Sequence, residues 1–139
     1  MMTRDIIHNA VKNALIKDGW QITHDPYTIQ YDDERVMIDL GAERLLAAER
    51  KGQKIAVEIK SFVGHSNLHD MEVAIGQYVT YLSFLEIVEP DRKLYLAISD
   101  LTYESIFQRR KTIQFLMERN QIPLIIVNVS DEELMKWIR

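Results

Sequence analysis

The segment Lys54–Ser61, KIAVEIKS, constrains this chain more than any other. Its apolar, β-branched residues read as a strand, yet Glu58 and Lys60 stand two apart within it. Side chains alternate across a strand, so Ala56, Glu58 and Lys60 share one face while Val57 and Ile59 take the other. A central strand in an α/β protein is normally apolar on both faces. Two charges on one face are therefore either mutually compensated or open into a polar cleft, because burying either one unpaired costs several kcal/mol.

The flanking sequence alternates between helical and extended periodicity. Ile6, Ile7, Ala10, Val11, Ala14 and Leu15 recur at helical spacing, Asp5 suits the positive end of the helix dipole, and Gly19 predicts the stop. Trp20, Ile22 and His24 then alternate with polar residues, His24-Asp25-Pro26 breaks the run, and Tyr27, Ile29 and Tyr31 alternate again, which predicts an extended or hairpin segment. A charged turn over Asp32–Arg35 precedes a strand over Val36–Leu40 that ends near Gly41. Ala42–Arg50 holds helix-favouring Ala, Leu and Glu, but the short gap before Ile55 favours a hairpin through Lys51-Gly52-Gln53.

After the central strand, Ser66 or Asn67 can cap a helix to about Glu86, with Leu68, Met71, Ile75, Tyr78, Val79 and Leu82 on its apolar stripe. Pro90 ends the connection, Lys93–Ser99 reads as a strand, Thr102 to about Arg119 as a second long helix, and Pro123–Val129 as a last strand. Asp131–Ile138 reads as a short terminal helix. The predicted order is αβββαβαβ, an α/β fold with a mixed central β-sheet flanked by helices and one right-handed strand–helix–strand crossover. A single domain over residues 1–139 is expected.

Composition closes off several function classes. Without cysteine there is no disulfide, thiolate nucleophile or Cys-based zinc site, so any metal must sit on oxygen or histidine ligands. No apolar run approaches the roughly 18–20 residues of a membrane span, and the start lacks the apolar centre of a secretory signal, so a cytoplasmic protein is expected. The net charge of -4 lacks the global basic footprint of a DNA-coating protein. Nucleic-acid binding would have to be local, with Lys12, Lys17, Arg109, Arg110 and Lys111 as candidate phosphate contacts.

Asp39, at the end of the preceding strand, supplies a second carboxylate. Two strand-borne carboxylates at a cleft offer the hard oxygen ligands that Mg²⁺ prefers. Such a metal acidifies a bound water and stabilises phosphoryl charge, and Lys60 would orient that water or offset transition-state charge. His65 and His69 have the spacing of a helical metal pair, but His65 precedes the expected cap and Asp70 belongs to the first turn, so these read as loop and first-turn polar residues.

A helix, Asp39 on an early strand, Glu58-Ile59-Lys60 on the next, then a helix bearing Gln77 resembles the PD-(D/E)XK restriction-endonuclease-like superfamily. That resemblance implies Asp39, Glu58, Lys60 and Gln77 as catalytic positions, with Mg²⁺ or Mn²⁺ on Asp39 and Glu58. Tyr81 shares the helix face of Gln77. Many members carry a glutamate on the first helix, where this chain has His8, with Asp5 one turn earlier; both are candidate accessory residues. A homodimer is expected by analogy, since a small single-site nuclease needs a second copy to cut both strands.

The blocks from His8 to Trp20, Ile22 to Pro26, Ile38 to Glu43, Leu45 to Glu49 and Ile55 to Phe62, with Gly76-Gln77-Tyr78, are more specific and resemble the XisH family. The resemblance implies an fdxN element excision controlling factor of cyanobacteria. Its role would lie in programmed DNA excision during heterocyst development, beside a site-specific recombinase and a companion protein, XisI.

Overall fold

The computed structural model describes residues 4–32, 34–36 and 45–139, excluding the side chains of Arg4 and of 34–36. Helix α1 (Arg4–Lys17) buries Ile7, Ala10, Val11, Ala14 and Leu15 of the expected stripe, whereas Ile6 is exposed. It stops at Gly19, whose φ of +92° a side chain would strain.

The extended segment that follows divides between two sheets. Strand β1 (Gln21–His24) joins the main sheet, whereas β2 (Ile29–Tyr31) pairs antiparallel with β3 (Glu34–Val36) in a separate ribbon. Pro26 between them has no N–H for a ladder, which favours this departure. Val36 is in β3; the rest of the strand expected over Val36–Leu40, including Asp39, lies outside the described residues.

The hairpin expected before the central strand is present, between β4 (Leu45–Arg50) and β5 (Gln53–Ile59). Its two-residue turn has positive φ at both Lys51 (+49°) and Gly52 (+80°), the type I′ geometry that matches strand twist. Helix α2 (Asn67–Val88) crosses from β5 to β6 (Arg92–Ser99), which run parallel. A second crossover leads from β6 to the parallel β7 (Leu124–Asn128), so there are two crossovers where one was expected. Among the described residues the main sheet is mixed and has six strands in the order β1-β4-β5-β6-β7-β8, with β5 inside it.

Three helical expectations need correction. The long helix over Thr102–Arg119 is broken into α3 (Asp100–Thr102), a π-helical turn (Tyr103–Phe107) and α4 (Lys111–Asn120), with Arg110 extended at φ −105° and ψ 111°. Packing overrides helical propensity here, because the π turn carries Phe107 inward to meet Phe62. The terminal helix over Asp131–Ile138 is instead β8 (Glu133–Ile138), which covers the outer edge of β7 and sets Trp137 edge-on to Tyr95 at 5.0 Å. In α2 the buried residues are Met71, Ala74, Tyr78, Tyr81 and Leu85, while Leu68 and Val79 are exposed. That helix is apolar on nearly every side, so periodicity does not single out its inner face.

Each sheet face has its own core. Ala56 joins Met71, Tyr78, Tyr81, Ile113 and Met117 beneath α2 and α4, whereas Val57 and Ile59 join Ile7, Val11 and Leu15 beneath α1. Glu58 and Lys60 thus belong to the face that α2 covers.

Candidate functional site

Strand β5 ends at Ile59, but the backbone continues the ladder for one more residue, since Lys60 N–H donates to the Ala97 carbonyl at 3.1 Å. Glu58 is completely buried and Lys60 is 7% exposed. The two charges expected on one face therefore lie at the carboxyl end of an internal strand, inside the molecule.

Two tyrosines register the carboxylate. Burial, then the negative charge of Glu58, pushes the Tyr78 hydroxyl up to about 12, and the same two causes raise that of Tyr81 further. Tyr78 donates its hydroxyl to the Leu94 carbonyl at 3.2 Å. Gln77 lies one turn from Tyr81, and its buried amide oxygen has no hydrogen-bond partner. A buried acceptor of this kind is uncommon, and a water, an ion or a ligand atom would satisfy it.

The segment beyond Lys60 is strained and clamped. Phe62 has a φ of +54°, costly for a bulky side chain, and its buried ring meets Phe107 edge-on at 5.2 Å. Thr102 Oγ1 donates to the Ser61 carbonyl at 3.4 Å. The π turn and α3 thereby fix the exit of the strand that bears Glu58 and Lys60.

At the same end of the sheet, across α1, lies a second polar group. His8 is 6% exposed and its Nε2 contacts Asp25 Oδ2 at 3.0 Å; Lys12 donates to that oxygen at 3.1 Å. Burial alone would raise the Asp25 carboxyl pKa, but His8 and Lys12 outweigh it and hold it low. Asp25 is two residues from Tyr27, whose N–H donates to the Leu45 carbonyl at 2.7 Å, and Leu45 is the register partner of Glu58. Sequence reasoning treated Asp25 only as a strand breaker. The helical spacing of His8 and Lys12 hinted at a shared acceptor, but a partner 17 residues from His8 carried no local signal.

The other candidates are scattered. Asp5 is exposed on α1, and Lys17 donates to the Asp131 carbonyl at 2.8 Å. Ser66 caps α2, accepting from His69 N–H at 3.2 Å, so His65 precedes the helix and the two imidazoles are not a helical pair. Asp70 turns back to accept from Gly64 N–H at 3.0 Å; a Cβ on Gly64 would lie 2.5 Å from its carboxylate. Arg109, Arg110 and Lys111 are exposed. Among the described residues no three His, Asp or Glu side chains converge to hold a metal ion, and Asp39 lies outside them. Among the same residues no helix is long and apolar enough to cross a membrane.

These features define an α/β protein with a mixed six-stranded sheet and a charged, buried site at the end of an internal strand. Residues 1–135 match the XisH protein family, and the chain belongs to it. It is similar to the crystal structure of an XisH family protein from Nostoc punctiforme PCC 73102, with a TM-score of 0.88 and 40% identity over 97% of this chain and 100% of that one. It is also similar to a fdxN element excision controlling factor protein from Anabaena variabilis, with a TM-score of 0.87 and 42% identity over 97% of this chain and 99% of the other. No curated protein matches.

Proposed function

We propose that this chain is a controlling factor for the excision of a DNA element and acts on DNA phosphodiesters at the end of β5. The observation that carries this reading is the burial of both Glu58 and Lys60 at one strand end, where ordinary packing would select apolar residues. The finer assignment is a PD-(D/E)XK-like core in which Asp39 and Glu58 hold Mg²⁺ or Mn²⁺. In kind the donors fit a hard cation: a carboxylate from Glu58 and a buried, unpartnered amide oxygen from Gln77. A third donor would have to come from Asp39. When bound, the cation supplies Lewis acidity to a phosphoryl oxygen and a more acidic water. Lys60 offsets negative charge developing on the phosphate, and Tyr81 helps exclude solvent behind Glu58.

A second reading is a nuclease-like scaffold without cutting activity that binds a recombinase, an XisI-like protein or DNA. The tying of His8 to Asp25 favours it, because that imidazole nitrogen is engaged within the protein. A nuclease restrained by an XisI-like partner is the related third form. Plasmid and branched DNA incubated with the protein in Mg²⁺ or Mn²⁺, with and without an XisI-like protein, separate these readings. Cutting that disappears in Asp39→Ala and Lys60→Ala supports the enzyme. No cutting under any condition, or equal cutting by the variants, sinks it and leaves the scaffold.

A further inference from the structure

Several of the cations among the described residues are already engaged. Lys12 serves Asp25, Lys17 serves the Asp131 carbonyl, Arg50 pairs with Asp18 at 2.7 Å, and Arg92 pairs with Glu89 at 3.1 Å. Lys136 and Arg139 lie over the rings of Tyr103 and Trp137. Arg109, Arg110 and Lys111 are exposed and among the described residues have no ion pair or side-chain hydrogen bond, which is also true of Lys51, Lys54, Lys93 and Arg119; what sets the three apart is that they stand in succession. The sequence between Glu104 and Glu118 contains no acidic residue to neutralise them.

Their position is set by the candidate site. The π turn ends at Phe107, against Phe62, two residues beyond Lys60, and Arg109 and Arg110 follow directly. The backbone there is held: Arg109 and Arg110 N–H both donate to the Ile106 carbonyl, and Gln114 Nε2 closes onto the Gln108 carbonyl at 2.9 Å. A continuous α-helix over this stretch would lack both the π turn and the extended Arg110.

We infer that Arg109, Arg110 and Lys111 form a phosphate-binding ridge that guides a DNA backbone past the end of β5. The guanidinium forks suit bidentate phosphate contacts, and Lys111 adds a point charge. Lys12 and Lys17, with their charges already engaged, are not part of this ridge. The inference rests on the reading of DNA as the partner, but it does not require that DNA be cut.

The test is fluorescence-anisotropy binding of the full chain to a labelled 30-base-pair duplex across a KCl series, 30 base pairs being about three helical turns. Each phosphate neutralised contributes about −0.9 to the slope of log K against log salt, so R109Q/R110Q/K111Q should flatten that slope by about 2–3 and weaken binding. The triple variant K51Q/K54Q/K93Q removes the same charge at the opposite end of β5 and β6 and should change the slope by less than about one. Equal slopes for the two triple variants, or no duplex binding by the wild type at low salt, overturn the ridge. So does polyglutamate competing better than duplex in a ridge-dependent way, which would assign the surface to an acidic protein. Ridge-dependent binding without cutting in Mg²⁺ or Mn²⁺ upholds the ridge while removing the nuclease reading.

Discussion

Glu58 is the residue on which the reading depends, and its neighbours make its charge measurable. Tyr78 and Tyr81 are raised first by burial and then by the Glu58 carboxylate. Removing that charge with Glu58→Gln leaves burial to act on both hydroxyls, with Tyr95 and Glu86 still adding to it at Tyr78. Their ionisation, followed by ultraviolet difference absorbance, should shift towards neutral pH by on the order of one unit, the usual effect of a nearby like charge. An unchanged titration in the folded variant would mean that Glu58 is not an anion beside these rings. It would then offer no carboxylate to a cation.

The elements show where sequence patterns suffice and where they fail. β4 and β5 could be anticipated because the chemistry of a tight turn around Gly52 and the alternation around Val57 are local, and so could the facing of Glu58 and Lys60. The inner stripe of α2 could not, because exposed Val79 and buried Tyr81 are both apolar enough to sit inside. The break after Phe107 has no proline or glycine to announce it, and β8 forms because β7 offers an open edge, a fact of the sheet and not of Glu133–Ile138. Among the candidate residues, Glu58 and Lys60 stand out by type and spacing and Gln77 only through the family resemblance, whereas Asp25 and Phe62 make contacts distant in sequence. The Phe62–Phe107 contact should therefore hold the π turn in place. Phe107→Ala is expected to cost about 3–5 kcal/mol. A double-mutant cycle with Phe62→Leu and Phe107→Leu should return a coupling of roughly 0.5–1.5 kcal/mol in urea denaturation. A coupling near zero would mean that the rings pack independently.

For the molecule as a whole, the perturbed groups predict a stability plateau with a fall on each side. Asp25 and Glu89 have lowered pKa values: burial opposes the shift, but His8 and Lys12 for the former, and Tyr27 and Arg92 for the latter, prevail. A lowered folded pKa contributes stability that is complete above the unfolded value and is lost as pH falls through the folded one, so this loss begins below about pH 4. Tyr27, Tyr78 and Tyr81 lie on the other side. Burial and then Glu89 raise Tyr27 to about 12, as burial and Glu58 raise Tyr78 to about 12. A raised folded pKa contributes stability that is complete below the unfolded value near 10 and disappears as pH climbs through the folded value, so the alkaline fall should span about pH 10–12. Urea titrations across pH separate these contributions, because surface lysines change all forms of the protein alike. Tyr78→Phe should cost about 1 kcal/mol at neutral pH, through the lost hydrogen bond to Leu94, and should reduce the alkaline loss by on the order of 2 kcal/mol. Asp25→Asn should flatten the acid side and leave the alkaline side unchanged. If Tyr78→Phe instead loses stability in parallel with the wild type from pH 9 to 12, the hydroxyl is not perturbed as the fold requires. The layer between α2 and β5 would then admit water.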